Sequence, residues 1–278
     1  MSDPTPAAEQ EALPFRRTLR ESYHAVFGNP IPFLKALCVP FVLLIAIRFV
    51  SGRLHENDML LFSWAIQCLV IVPYTLFSFS WSRSQLVGLH AASPQVFPPL
   101  DRRYLSFLSV SIMVAVAYVG AVAAFFFLVT AVNRGSPGPY YTTVLNPYTI
   151  GWFGLFYVVL PYLVLRISFV FPATSVGASC SIARSWQLTR GYGIRIFLLA
   201  LACSLPMVLA IIGRVYMRFL VFSGELAVDI FESGRVGWLF LEASGSVLTL
   251  ISLGLAVSAI SIAFKGLTGW VPDEAEVT

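Results

Sequence analysis

The chain has 278 residues, of which 58% are hydrophobic and only 12% charged, with a net charge of +4. Ordinary soluble domains carry about 25% charged residues, and a chain of mean hydropathy +0.80 holds more apolar surface than a soluble interior can bury. A soluble globular enzyme is therefore excluded. A nucleic-acid binder is excluded too, because the basic residues gather at the ends of apolar runs rather than in one patch.

Residues 1–13 are rich in Pro, Ala and acidic side chains and are predicted to form a disordered tail. The first apolar run begins too late for a secretory signal. Residues 14–28 predict a short amphipathic helix. Phe15, Leu19, Tyr23 and Val26 share one face, with Arg16, Arg17 and Arg20 elsewhere. That pattern suits a helix lying on an anionic leaflet; the alternative is a solvated lead-in.

Six apolar runs follow, at about 31–50, 59–81, 104–132, 148–171, 194–222 and 238–264. Crossing a hydrocarbon core of about 30 Å takes about 20 helical residues. Only helices and closed barrels satisfy their backbone in lipid, and unbroken apolar runs exclude the alternation of a barrel. The predicted fold class is all-α: a polytopic membrane bundle of six transmembrane helices, with short interfacial helices on the cytoplasmic side. Residues 14–265 form this one domain and 266–278 a C-terminal tail.

Loop Lys and Arg residues set orientation. Of the 18, twelve fall on one side: Arg16, Arg17, Arg20, Lys35, Arg83, Arg102, Arg103, Arg166, Arg184, Arg190, Arg195 and Lys265. The other six are Arg48, Arg53, Arg134, Arg214, Arg218 and Arg235. Both termini are therefore predicted to be cytoplasmic.

Inside the membrane, Glu242, Gly245, Thr249, Ser252, Ala256, Ala259 and Ala263 recur at helical spacing along the last run. Small residues let helices approach closely in lipid, so this face is predicted to pack inside the bundle. The alternative is a polar path along Glu242, Thr249 and Ser252. Glu242 is predicted to pair with Arg214 or Arg218, and its other reading is a proton or ion role. A looser small face on the third run, Ser106, Ser109, Ala117, Gly120 and Ala124, is predicted to pack as well. Pro40, Pro73, Pro161 and Pro206 should kink their helices. Such kinks accompany transporter sites, but they are also common in membrane helices generally. Cys38, Cys68, Cys180 and Cys203 show no metal or disulfide spacing and are read as small buried hydrophobes.

The stretch 166–197 holds Arg166, Arg184, Arg190 and Arg195 and no acidic residue. It is predicted to be a membrane-surface elbow. Pro172 ends the fourth span, Ser181 caps a short helix, and Ile182, Trp186 and Thr189 share one face. Trp at the interface with Arg toward phosphates is an anchor arrangement. The candidate anchors for anionic phospholipid are Arg83, Arg102, Arg103, Arg166, Arg184, Trp186, Arg190 and Arg195. The N-terminal lead-in echoes this element, with Ser22, Tyr23 and Gly28 matching Ser185, Trp186 and Gly191 at a constant offset.

The run from Arg166 to Ala173 and the SIARSWQLTRG of 181–191 resemble the signature of an uncharacterised six-span inner-membrane family of bacteria. That family is related to the membrane domain attached to some glycerophosphoryl diester phosphodiesterases. Trp81-Ser82-Arg83, Leu86-Val87-Gly88 and Arg103-Tyr104-Leu105 agree with it. Members usually show WHR followed by LLGE, whereas this chain has Ser82 for the His and Leu89 for the Glu. The resemblance implies a six-span fold and a bacterial inner-membrane location, but no established activity.

Phosphodiester hydrolysis is not implied, because acid, base and metal ligands must gather in one site. His24, His55 and His90 lie far apart in the chain, and no phosphate loop or nucleophile elbow is present. No catalytic, cofactor-binding or metal-binding residues are predicted. The expected function is that of a non-enzymatic integral membrane protein: a scaffold, an accessory subunit of a membrane complex, or an organiser of lipid. The alternative is a small transporter or channel, and a third reading is a lipid-modifying enzyme. A polar cavity near the midplane would favour transport; a dry bundle would favour scaffolding.

Overall fold

Pro30 and Pro32 open the first long helix, where a missing N–H leaves no partner unsatisfied. The computed structural model describes residues 15–88, 101–133, 147–222 and 236–272, and among them there is no strand. The helices are α1 (Phe15–Phe27), α2 (Pro30–Glu56), α3 (Leu60–Cys68), α4 (Ile71–Val87), α5 (Arg102–Asn133), α6 (Pro147–Ile167), α7 (Val170–Ser175), α8 (Ile182–Leu188), α9 (Gly193–Phe222) and α10 (Val236–Thr268). Six stretches within them are long and apolar enough to cross a membrane. The tail at 1–13 lies outside the described residues.

Two spans differ from their sequence reading, for one reason. The second is broken between α3 and α4, and the fourth between α6 and α7. Pro73 has no N–H for the Leu69 carbonyl, and the Val72 N–H takes that carbonyl at 3.0 Å in a tighter turn. Pro172 likewise strands the Ser168 carbonyl, which accepts from the Phe171 N–H at 3.1 Å. So Pro172 does not end the span; it sits inside α7, which runs on to Ser175. The elbow thus begins in the interior. Phe169 and Ala173 are fully buried, and α7 packs on α4, α5 and α10.

The centre of the bundle is α10, which packs against α1, α2, α4, α7 and α9. Half of its spanning window is buried, against 6% for α5. Its small face points inward as expected, with Gly245, Ser252, Ala259 and Ala263 buried. A Cβ added at Gly254 would lie 2.6 Å from the Phe33 ring, so glycine is what lets α2 meet α10 there. The small face predicted for α5 turns the other way: Ser106, Ser109, Ala117, Gly120 and Ala124 are all exposed. α5 is held instead by Tyr104 and Phe107, whose rings pack on Phe79 at 5.5 and 5.6 Å. Aromatic knobs outweigh small residues here because each buries far more area.

α1 does not lie free on a leaflet. It packs on α10 and α9 and buries Thr18, Ser22, Ala25 and Val26, while Phe15, Leu19 and Tyr23 are half-buried against the core. Tyr23 adds a polar tie to this apolar packing. Pro206 strands the Ala202 carbonyl in α9, and the Tyr23 hydroxyl donates to it at 3.4 Å. The Met207 N–H of the same kink donates to Ser252 Oγ of α10 at 3.0 Å. The echo between α1 and α8 persists in part: Ser22 and Ser185 are both fully buried. Gly191 has a positive φ, whereas Gly28 does not. At the far end α10 continues to Thr268 and Trp270 packs on the core, so the C-terminal tail starts later than residue 266.

Candidate functional site

α8 begins as predicted, with Ser181 Oγ accepting the Arg184 N–H at 3.2 Å. Its inward face is different. Ser185 and Thr189 are fully buried, while Ile182 and Trp186 are exposed. Arg166 decides this. Its Nε donates to Thr189 Oγ1 at 2.8 Å, Nη2 to the Trp186 carbonyl at 2.9 Å, and Nη1 to the Tyr162 hydroxyl at 3.2 Å. Ser185 Oγ donates to the Arg166 carbonyl at 3.0 Å, and the guanidinium lies 4.2 Å from the Trp186 ring centre. Arg166 therefore joins α6 to α8 through protein groups, and Trp186 covers it. A Cβ at Gly193 would fall 2.6 Å from the Tyr162 hydroxyl, which is why α9 starts with glycine.

A lysine cannot reproduce three directional donations and a stacked plane. Arg166→Lys should loosen α8 by about 1–2 kcal/mol, the worth of its charge-assisted bonds. Faster hydrogen exchange at 182–188, without a change elsewhere, is the expected readout. Unchanged exchange there would show that α8 is held by something else.

The other basic candidates divide. Arg184 and Arg190 are exposed and share a surface pocket of about 300 Å³ with Gln187, Leu188, Tyr192 and Leu267. Arg102 and Arg195 are exposed at the starts of α5 and α9, and neither lines that pocket. Arg103 lies over Gly177, whose φ is +74 and whose added Cβ would come within 3.0 Å of Arg103 Nε. Arg83 Nε and Gln85 Nε2 are buried with no hydrogen-bond partner among the described residues. Asp101, which the sequence reading passed over, accepts the Tyr104 N–H at 2.8 Å and caps α5; an Asp just before a helix was the available signal.

Cys180 lies beside Arg184. Burial pushes its thiol above the ordinary value, with Arg184 pulling weakly the other way, so it stays a thiol at neutral pH. Of the other cysteines only Cys203 is buried; Cys38 and Cys68 are exposed on the helix surfaces, contrary to the expectation of burial. Both sit on spans with bilayer around them, where an exposed apolar side chain carries no penalty.

Within the membrane, Glu242 forms an ion pair with Arg48 Nη1 of α2. The expected partners Arg214 and Arg218 have side chains outside the described residues. Thr249 and Ser252 lie in a neighbouring space, linked to the pair through Tyr74, which hydrogen-bonds Arg48. They line a partly open chamber of about 520 Å³ between α4, α5, α6, α7, α9 and α10. Half of its lining residues carry a hydroxyl and none carries a charge. Its wall is nonetheless carbon, because most of these hydroxyls are taken up by protein groups: five turn back into their own helices, and Ser82, Ser252 and Ser261 bond to neighbouring ones. Thr249 donates to the Gly245 carbonyl at 2.7 Å and Ser168 to that of Leu165 at 2.7 Å.

At one end of the chamber Ser82 Oγ lies 3.1 Å from Ser261 Oγ and accepts from Ser175 Oγ at 3.3 Å, joining α4, α10 and α7. Ser82 is thus the polar joint of three helices. Gln67, in α3 ahead of Pro73, is exposed and does not line the chamber. Among the described residues no three His, Cys, Asp or Glu side chains cluster as metal ligands would.

These features define a class: an all-α, multi-pass membrane protein whose polar groups serve helix joints, with a basic pocket at one end and a carbon-walled chamber at its centre. No protein-family model, no curated protein and no solved structure matches the chain.

Proposed function

We propose that the protein is a non-enzymatic integral membrane protein of the bacterial inner membrane, with both termini cytoplasmic, that binds and organises anionic phospholipid. The observation that carries this reading is the pocket of α8. Arg184, Arg190 and Gln187 offer donors to a phosphate, while Leu188, Tyr192 and Leu267 offer an apolar floor for the glycerol and upper chain. The joint at Arg166 holds that surface in place. The resemblance of the 166–191 stretch to the six-span family fits the same location. In a membrane complex, such a pocket would let the protein act as a lipid-recruiting accessory subunit.

Replacing both Arg184 and Arg190 with Gln should strip anionic lipid from the purified protein, since each surface cation near an anionic leaflet contributes about 1 kcal/mol. Mass spectrometry of lipids retained in mild detergent reads this directly. Equal phosphatidylglycerol content in wild type and double variant would remove the proposal. The second reading, a small transporter, draws on the central chamber. The absence of charge from its lining favours an apolar cargo over an ion.

A further inference from the structure

We infer that the central chamber is a binding site for one acyl chain of a membrane lipid, entering sideways from the bilayer beside α5. It is separate from the pocket of α8, since no residue lines both.

Size is the first argument. About 520 Å³ falls within the range of small-molecule sites, which runs from about 300 to 1,000 Å³. On α10 the lining runs from Thr249 to Ser261. At 1.5 Å per residue that is about 18 Å, close to the ~15 Å depth of one leaflet. The space is as long as one chain of one leaflet.

Chemistry is the second argument. Thr75, Ser111 and Ser204 donate to carbonyls of their own helices at 2.8, 2.9 and 2.8 Å, as Ser168 and Thr249 do. What faces the chamber is carbon and sulfur, including Phe107, Phe171, Met207 and Val257. A buried water needs 2–4 polar partners, which such a wall does not present. Left empty, the wall would lack dispersion partners on one side. The substance that surrounds this protein and matches that wall is hydrocarbon.

Access is the third. α5 packs on α4 and α7 but only lightly on α6, and it is the least buried span. Its outer face, with Val116 and Val119 exposed, meets the bilayer. The side of the chamber beside α5 is therefore its weakest wall. Met207, unbranched and flexible, lines the space and can adjust to an entering chain.

The test uses the full-length protein in nanodiscs containing phosphatidylglycerol with a photo-reactive diazirine in mid-chain. After irradiation, labelled residues are mapped by mass spectrometry. Labels on Phe107, Phe171, Met207 or Val257 are expected, besides those on outward residues such as Val116 and Ile211. Labels confined to outward residues in the wild type would overturn the inference, and this arm needs no variant. Filling the chamber by Ser78→Phe on α4 or Ala256→Phe on α10 should abolish the inward labels and spare the outward ones. Inward labels that persist in a filled, monodisperse variant would also overturn it. The double variant Arg184→Gln/Arg190→Gln should lose headgroup retention yet keep the inward labels. Loss of both together would show that there is no separate acyl site.

Discussion

Replacing Glu242 with Gln lowers the stability of the bundle by about 3 kcal/mol, because it leaves the Arg48 guanidinium uncompensated in a low-dielectric setting. Both side chains are mostly buried, at 22% and 18% exposure, so solvent screening does little for the survivor. Arg48→Met should also cost stability, since it takes this counter-charge from the carboxylate. The diagnostic result is the pair together. Arg48→Met with Glu242→Met removes both charges and should recover most of the loss, as replacing whole buried ion pairs by apolar residues often does. Unfolding by SDS in mixed micelles measures all three. Single variants as stable as wild type would mean that the pair is not buried in the membrane-embedded protein. A double variant no better than the singles would give the pair a role beyond charge balance.

Trp81→Ala should cost about 3 kcal/mol, the low end for removing a large core aromatic. Trp81 is fully buried, 5.2 Å from Phe33 at 82° and stacked on Phe77 at 6.5 Å. Its Nε1 donates to Ser258 Oγ at 2.8 Å and to the Gly254 carbonyl at 3.2 Å. The side chain therefore ties α4 to α10 and, through Phe33, to α2. The low end applies because lipid is as apolar as the core, so packing and the hydrogen bond are lost but little transfer energy is. Trp81→Phe keeps most of the volume and loses the bond, for about 1 kcal/mol. The same SDS titration reads both. A Trp81→Ala protein indistinguishable from wild type would show that this cluster does not hold the three helices together.

Trp81 also shows how far the sequence could be read. It stood at the end of an apolar run beside Arg83, the pattern of an interfacial residue, yet it lies in the core because α4 continues to Val87. Trp186 followed the same pattern and does reach the surface, but as the cover of Arg166. Composition is alike in both places. What separates them is which helix lies opposite.

By itself the sequence determined that the protein is an all-α membrane bundle of six spans and that Ser181 starts a helix. These are local matters. A helix satisfies its own backbone hydrogen bonds, which is what an apolar run long enough to cross lipid must do. Only the tertiary structure decided which face of each span points inward, because a span bordered by lipid is apolar all round and carries no amphipathic signal. It turned the small face of α5 outward and drew Tyr23 to the carbonyl stranded by Pro206. It also paired Arg48 with a carboxylate 194 residues away and took up most of the chamber's hydroxyls in bonds within and between helices. Each of these depends on the rotation of one helix against another, which no stretch of chain encodes alone.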